Sequence, residues 1–525
     1  MSRNSARARR RGIGALAAVA ALCATTLVAT STVSGAEARH QKSGIDKTAV
    51  IRMGIGVGDN GGSSFDPANS RPNPYNAEWM DLIYDVLIHD TPDGKGAPGL
   101  ATKWSTPDPS TAEITLRSGV KFTDGTPLTS QAAKTAWEKL LAANLFTTPN
   151  DIRAITSIET PDAQTLRVHF NAPVAQTFLS NSTHHSWWLA IPSPTAAATG
   201  DLNTKPVGAG PYQLKDYVQD QKITLEKNPT YWDPKSQLAG GWEFVQASAG
   251  PPAVNALQSG TVDLIWSIPP DATESLKNNP NLAVTALPGT RVFDVGLCAT
   301  QGTFASKEAR QAVQWALDRK AINSGGMADT GLPWQTVIGP TSPYYNKKLN
   351  NTYTYNVKKA KALLKQAGVA PGTTIKGLAS NSVPQPQFAE IVQAQLKKVG
   401  LNLDFSVSTN LVDDANRQKP DMLFVGFDPS LWGFAFNQTS TLNICGWSNP
   451  QVTADIATLQ DGTKTDAEKQ AAADDMQKIL LDESPDIITI LSPLTTAQNK
   501  SVKGITTIQN PFGPQLATVY KTSSG

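Results

Sequence analysis

Cysteine is nearly missing from this chain: three residues in 525, at positions 23, 298 and 445. A four-cysteine zinc site is therefore excluded, and no C-x-x-C pair occurs. Local catalytic signatures are missing too: no G-x-S-x-G elbow, no H-E-x-x-H pair and no Walker A loop. Beyond the first 38 residues no apolar run reaches the roughly 18 residues a membrane span needs. Internal repeats and low-complexity tracts are absent. What remains is an ordered globular composition, 40% hydrophobic and 17% charged, too long for a single core.

The N-terminus has a layout of its own. Arg3, Arg7, Arg9, Arg10 and Arg11 form a basic head, "IGALAAVAALCATTLVA" is apolar, and Ala36 and Ala38 offer small residues for cleavage. That pattern reads as a secretory signal peptide over 1–38, by the Sec or the twin-arginine route, with a mature start near Arg39. Cys23 lies inside the apolar core behind Leu22, a poor setting for lipid attachment. Removing the leader takes five Arg and one Glu from totals of 46 basic and 44 acidic residues, leaving 41 against 43. The mature chain is then slightly acidic, and no nucleic-acid surface is expected.

Residues 54–62 read "GIGVGDNGG", so Gly56, Gly58 and Gly61 spell G-x-G-x-x-G. The fingerprint requires a helix opening at the third glycine, to hold a pyrophosphate on its N-terminus. Pro67, Pro72 and Pro74 follow instead, and they forbid a helix before about Asn76. The glycines read as a strand-to-loop exit, with no cofactor. His184-His185 has no acidic or cysteine partner nearby, so no metal is expected there.

Further along, "AEITLRSGVKF" alternates like a hairpin with "SG" as its turn. Thr129 or Ser130 caps a helix with Ala133, Trp137, Leu140 and Leu141 on one face. "SIETPDAQTLRVHF" reads as two strands, and "PPAVNALQSGTVDLIWSI" as a helix, a Ser-Gly stop and a strand. "RVFDVGLC" is a strand leading into one helix, "SKEARQAVQWALDRKAINSGG", closed by Gly325-Gly326. "NVKKAKALLKQAG" and "QFAEIVQAQLKKVG" are helices ending in glycine, the second feeding the strand "LNLDFSV". This is the β/α alternation of a parallel sheet.

The stretch "APGLATKWSTPDPSTAEITLRSGVKFTDGTPLTSQAAKTAWEKL" resembles the signature region of the family 5 extracellular solute-binding proteins. These are the oligopeptide, dipeptide and nickel receptors of ABC importers. "PVGAGPYQL…ITLEKNPTYW", "ALQSGTVDLI", "FASKEARQAVQWALDRKAI", "KAKALLKQAGV", "AQLKKVGLNLDF" and "MQKILLDESPDIITIL" follow in the family's order. The resemblance runs from about Asp66 to about Gly504.

It implies an α/β fold of two lobes with an extra α+β subdomain inserted in the first. Lobe one would comprise 45–82, 205–290 and 497–525, the insertion 83–204, and lobe two 291–496. Cys298 and Cys445, whose proximity the sequence leaves open, would share lobe two, and a disulfide between them is expected. The loop after the first strand would line the cleft with Asn73, Tyr75 and Asn76. Asp428, in "DMLFVGFDPSLWGFAFNQ", is the carboxylate nearest to the family's ammonium-binding aspartate, although its spacing is off and Pro429 follows it. Trp266, Trp432, Phe434 and Trp447 are the aromatic candidates.

The function implied is that of an exported, cell-envelope-associated receptor, periplasmic or extracellular. It would act as a monomer without a cofactor, capturing a short peptide or similar solute for a permease driven by separate ATPase subunits. A non-peptide aromatic or apolar solute is the alternative cargo. A secreted hydrolase is the alternative of another class, since triads need no local signature.

Overall fold

The computed structural model describes residues 44–57, 64–69, 74–89, 91, 96–143, 148, 150–182, 188–266, 268–340, 342–427, 443, 445–505 and 516–523. The expected leader, Asn73, His184-His185, Asp428, Trp432 and Phe434 lie outside these residues. No helix among the described residues is long and apolar enough to cross a membrane.

Two long strands organise the molecule. Leu282–Leu297 and Asp486–Asn499 run antiparallel, with Leu282 opposite Asn499 and Gly296 opposite Asp486. Their register shifts between Leu287 and Arg291, where Pro288-Gly289 interrupts the strand pattern. The sequence reading starts a strand at Arg291; the observed strand begins nine residues earlier and passes through Pro288-Gly289.

An eleven-stranded sheet is built outward from this pair. On one side lie Leu264–Trp266, Val50–Ile55, Gly241–Gln246, Lys222–Lys227 and Tyr212–Val218; on the other lie Met422–Phe427, Thr373–Ser380 and Leu401–Ser408. Leu332–Pro333 adds a short pairing on Asp486–Asn499. Three strands in each half are mutually parallel, as expected where helices cover both faces. In the second half, Phe293, Val295, Phe388, Val392 and Phe424 fill one face, and Val292, Trp334, Trp447, Met476 and Leu480 fill the other.

A separate four-stranded sheet, in the order 101–108, 111–116, 165–170, 155–159, is wholly antiparallel. Ile114, Leu166 and Val168 share one core with Ile51, Met53 and Phe244 of the large sheet. Its helix Ser130–Ala143 starts with the Thr129 hydroxyl accepting from Ala132 N at 3.2 Å, and is pinned by Trp137 Nε1 donating to Leu189 O at 3.0 Å. The expected Ser118-Gly119 hairpin does not form. Thr111–Leu116 pairs instead with the preceding strand Ala101–Asp108. The Asp108 carboxylate accepts from Ser110 N at 2.9 Å, so an Asp-Pro-Ser turn reverses the chain earlier.

The single helix expected over 306–326 is two. Lys307–Ala316 stops at Leu317, and the Asp318 side chain caps a new helix, Arg319–Met327, that runs through Gly325-Gly326. The break lets Arg319 turn inward, where it is buried and donates to Trp334 O, Ile488 O and the Gln314 side chain. Burial lowers its pKa to about 10. The helices Val357–Gln366 and Gln385–Val399 and the strand Leu401–Ser408 stand where the sequence placed them.

Residues 45 and 522 meet on the first half of the sheet. Ile45 bridges Thr522, and Lys521 Nζ reaches the Asp263 carboxylate at 2.8 Å, which also takes two side-chain bonds from Arg52. Burial favours the protonated acid, but Arg52 and Lys521 outweigh it and hold the Asp263 pKa below its usual range.

Candidate functional site

Two blocks of three parallel strands, antiparallel to each other, point their carboxyl ends at one place. Trp266 lies opposite Thr496, Gly54 opposite Ile265, and Phe427 opposite Val292. Both parallel blocks therefore end at the register shift between Leu287 and Arg291. In open α/β sheets the crevice beyond the carboxyl ends is where ligands bind; here two such crevices share a floor.

The walls are loops between strands and helices. Gly250 caps the helix Pro251–Gln258 at φ +111°, and a Cβ there would lie 3.6 Å from Val383 Cγ2. Val383 precedes the helix Gln385–Val399 on the second half of the sheet. The two halves thus come together at residues from equivalent strand-to-helix loops, and only glycine suits the first position.

Two polar side chains at this convergence were not singled out from the sequence. Arg291 is half-buried at the register shift, and among the described residues it makes no ion pair or side-chain hydrogen bond. Gln385 is buried, its Nε2 packed where a Cβ on Gly426 would come within 2.8 Å, and its Oε1 has no partner among the described residues. The Pro288-Gly289 pair two residues ahead of Arg291, unusual inside a strand that nonetheless runs through it, is the sequence signal that points to the first. Nothing in the sequence marks the second.

The expected site residues fare differently. Trp266 is buried at the carboxyl end of its strand, one of those aimed at the crevice. Tyr75 and Asn76 fall in the first turn of the helix Pro74–Tyr84, which begins two residues before the earliest position expected, with Pro74 suited to its first turn. Trp447 packs with Val292, Trp334 and Met476, which gives it a core role whether or not a solute touches it. Asn73, Asp428, Trp432 and Phe434 lie outside the described residues.

Cys298 and Cys445 are joined, with a Cα–Cα distance of 4.5 Å. The bridge fastens the end of the strand Leu282–Leu297 to the segment leading into the helix Pro450–Gln460. Among the described residues, no group of three or more His, Cys, Asp or Glu is placed to hold a metal ion.

A doubly wound sheet with a shared crevice, two crossing strands and a small antiparallel sheet on one half defines a two-lobed binding protein with an inserted α+β subdomain. Residues 95–449 match the bacterial extracellular solute-binding proteins, family 5, and the chain belongs to that family. It is 25% identical over 417 residues to the glutathione-binding protein GsiB of Salmonella typhi, covering 76% of this chain and 80% of that one. In fold it is similar to the ABC transporter-associated periplasmic binding protein DppA of Helicobacter pylori, solved with the peptide STSA. The TM-score is 0.79 at 23% identity, over 90% of this chain and 98% of that one. NikA of Staphylococcus aureus, solved with Ni(L-His)2, gives 0.76 at 22% identity, over 90% and 100%.

Proposed function

We propose that this chain is the exported receptor of an ABC importer, closing its lobes over a short peptide or similar small solute that carries a carboxylate. Arg291 is the observation that carries this reading. It is a half-buried guanidinium without a partner among the described residues, on the floor where six strand ends meet. A guanidinium matches a carboxylate with two parallel hydrogen bonds. The glutathione-binding relative and the neighbour holding the peptide STSA support a peptide-like cargo.

Lobe one takes 45–82, 205–290 and 497–525, the insertion takes 83–204, and lobe two takes 291–496. The sheet halves and the small sheet support these bounds. Trp266 and Gln385 line the crevice, joined by Asn73, Tyr75, Asn76, Asp428, Trp432 and Phe434, with Trp447 behind them. Residues 1–38 direct export, and a permease with separate ATPase subunits receives the solute. The chain acts by binding rather than catalysis, in keeping with its family.

Mass spectrometry of the solute that co-purifies, followed by calorimetry with that compound, tests the reading. Stoichiometric binding with a negative heat-capacity change is expected, since closure buries apolar surface. Turnover of the compound would overturn it.

A further inference from the structure

The charge on this chain is not evenly spread. Residues 341–400 hold nine lysines, no arginine and a single acid, Glu390, for a net +8. The whole chain is +2 and the first 38 residues contribute +4, so everything else sums to −10. All nine lysines are exposed, and none lies within ion-pair distance of a carboxylate among the described residues.

The densest part is the helix Val357–Gln366. Lys358, Lys361 and Lys365 follow at i, i+3 and i+7, one exposed stripe. Lys397 and Lys398 end the helix Gln385–Val399. The two helix ends are joined because Gly372 N donates to Gly400 O at 2.7 Å. This brings Lys365, Lys397 and Lys398 to one corner, at the ends of the parallel strands opposite the crevice.

Lysines in a last helical turn offset the negative end of the helix dipole, which gives Lys365, Lys397 and Lys398 an ordinary structural reason. The same argument works against Lys358 and Lys359, which sit in a first turn with no acidic residue. Lys358 and Lys361, then Lys361 and Lys365, are also like-charge neighbours. Lys359 lies over the Trp315 ring at 3.6 Å, while Lys358 and Lys361 have no such contact among the described residues. This helix holds its charge against its own electrostatics.

We infer that this face docks on a lipid bilayer bearing anionic headgroups. The inference rests on the receptor reading only in that a receptor must work beside a membrane. Lysine without arginine suits diffuse attraction to a charged surface rather than forked recognition of a single phosphate. Protein interfaces instead favour arginine and aromatic residues and are poor in lysine. Tyr355, exposed just ahead of the helix, has the amphipathic ring that settles at headgroup level.

The test is flotation of the purified protein with phosphatidylcholine vesicles, with and without phosphatidylglycerol, at low salt and at about 0.5 M salt. Tight association with the anionic vesicles only, lost at high salt, is expected. Joint replacement Lys358→Gln, Lys361→Gln and Lys365→Gln should weaken it at least tenfold, since each lysine near such a surface is worth roughly fivefold. Solute affinity of the triple variant, far from the crevice, should match wild type and certifies its fold. Equal association with neutral vesicles, none with either, or an unaffected triple variant overturns the inference. So does soluble polyglutamate binding as tightly as the vesicles, which would assign the face to an acidic protein. Solute binding is measured separately, so failure here leaves the receptor reading standing.

Discussion

The Thr177 hydroxyl donates to the main-chain oxygen of Gln460 at 2.8 Å. Beside it, Gly462 N donates to Pro173 O at 3.1 Å. These bonds tie the helix Ala175–Asn181, next to the small sheet, to the end of the helix Pro450–Gln460 on the second half of the large sheet. They fasten the segment that carries the small sheet to the second half of the large sheet.

Thr177→Val keeps the shape and removes the donor. One such bond contributes about 0.5–1.5 kcal/mol, so the lobes should part more readily and solute should leave several-fold faster. Stopped-flow dissociation measures this. An unchanged off-rate would show that the contact persists in the open form and plays no part in closure.

Arg291→Gln should weaken a carboxylate-bearing solute by about 2–5 kcal/mol, the usual cost of removing one partner from a buried charge pair. Amidating that carboxylate should cost wild type a similar amount and cost the variant little. Calorimetry on the four combinations separates the pair term from general damage. Independent, additive losses would place the carboxylate elsewhere.

Asp294 and Asp486 sit on the crossing strands, where Asp486 faces Gly296 and Asp294 lies two residues away; Asp294 is buried, Asp486 half-buried, and their carboxyl groups interact with each other. Burial pushes Asp486 up to about 6, and burial plus the neighbouring Asp486 push Asp294 well above the carboxylate range. A raised acid stabilises the fold below its unfolded value, about 3.9, and loses that contribution as pH climbs through the folded value. Stability should therefore fall as pH climbs from about 4 through about 6 and above. Asp294→Asn should flatten the slope in thermal melts taken across that range. A wild-type slope retained by the variant would rule the pair out as its source.

Under denaturing, non-reducing conditions the mature protein should show no free thiol, because Cys298 and Cys445 are bridged across 147 residues. Reducing the bridge should cost about 4–5 kcal/mol by the chain-entropy estimate, read as a lower denaturant midpoint. A midpoint indifferent to reductant would mean that the second lobe does not depend on the link.

Local chemistry that acts within a few residues was legible in the sequence. Gly368 and Gly400 take positive φ just after their helices, as the stops in "KQAG" and "KKVG" foretold. Thr129 caps its helix, and Ser259-Gly260 ends another. Errors came where two local signals competed. Ser118-Gly119 looked like a hairpin turn, but Asp108-Pro109-Ser110 offered a tighter one earlier. The pattern over 306–326 fits one amphipathic helix, yet Asp318 finds cap donors and Arg319 finds buried carbonyls, which a continuous helix would deny them. The crevice was the least legible part. Arg291 and Gln385 matter because strands from distant segments end beside them, and no window of sequence contains that fact.

The strand Asp486–Asn499 and the pairing of Ile45 with Thr522 set an order on how the protein comes into being. Synthesis delivers the chain N-terminus first, so Val50–Ile55 can align with Gly241–Gln246 while most of the second half of the sheet is still to come. The sheet cannot be joined across its middle until residue 486 and beyond arrive, and of its two ion-pair partners Asp263 has only Arg52 until Lys521 follows. A chain cut short upstream lacks the strand that couples its two halves and keeps an under-neutralised carboxylate in its interior. Completeness is thus inspected by the fold itself, and a protease would find unfinished copies open where finished ones are shut.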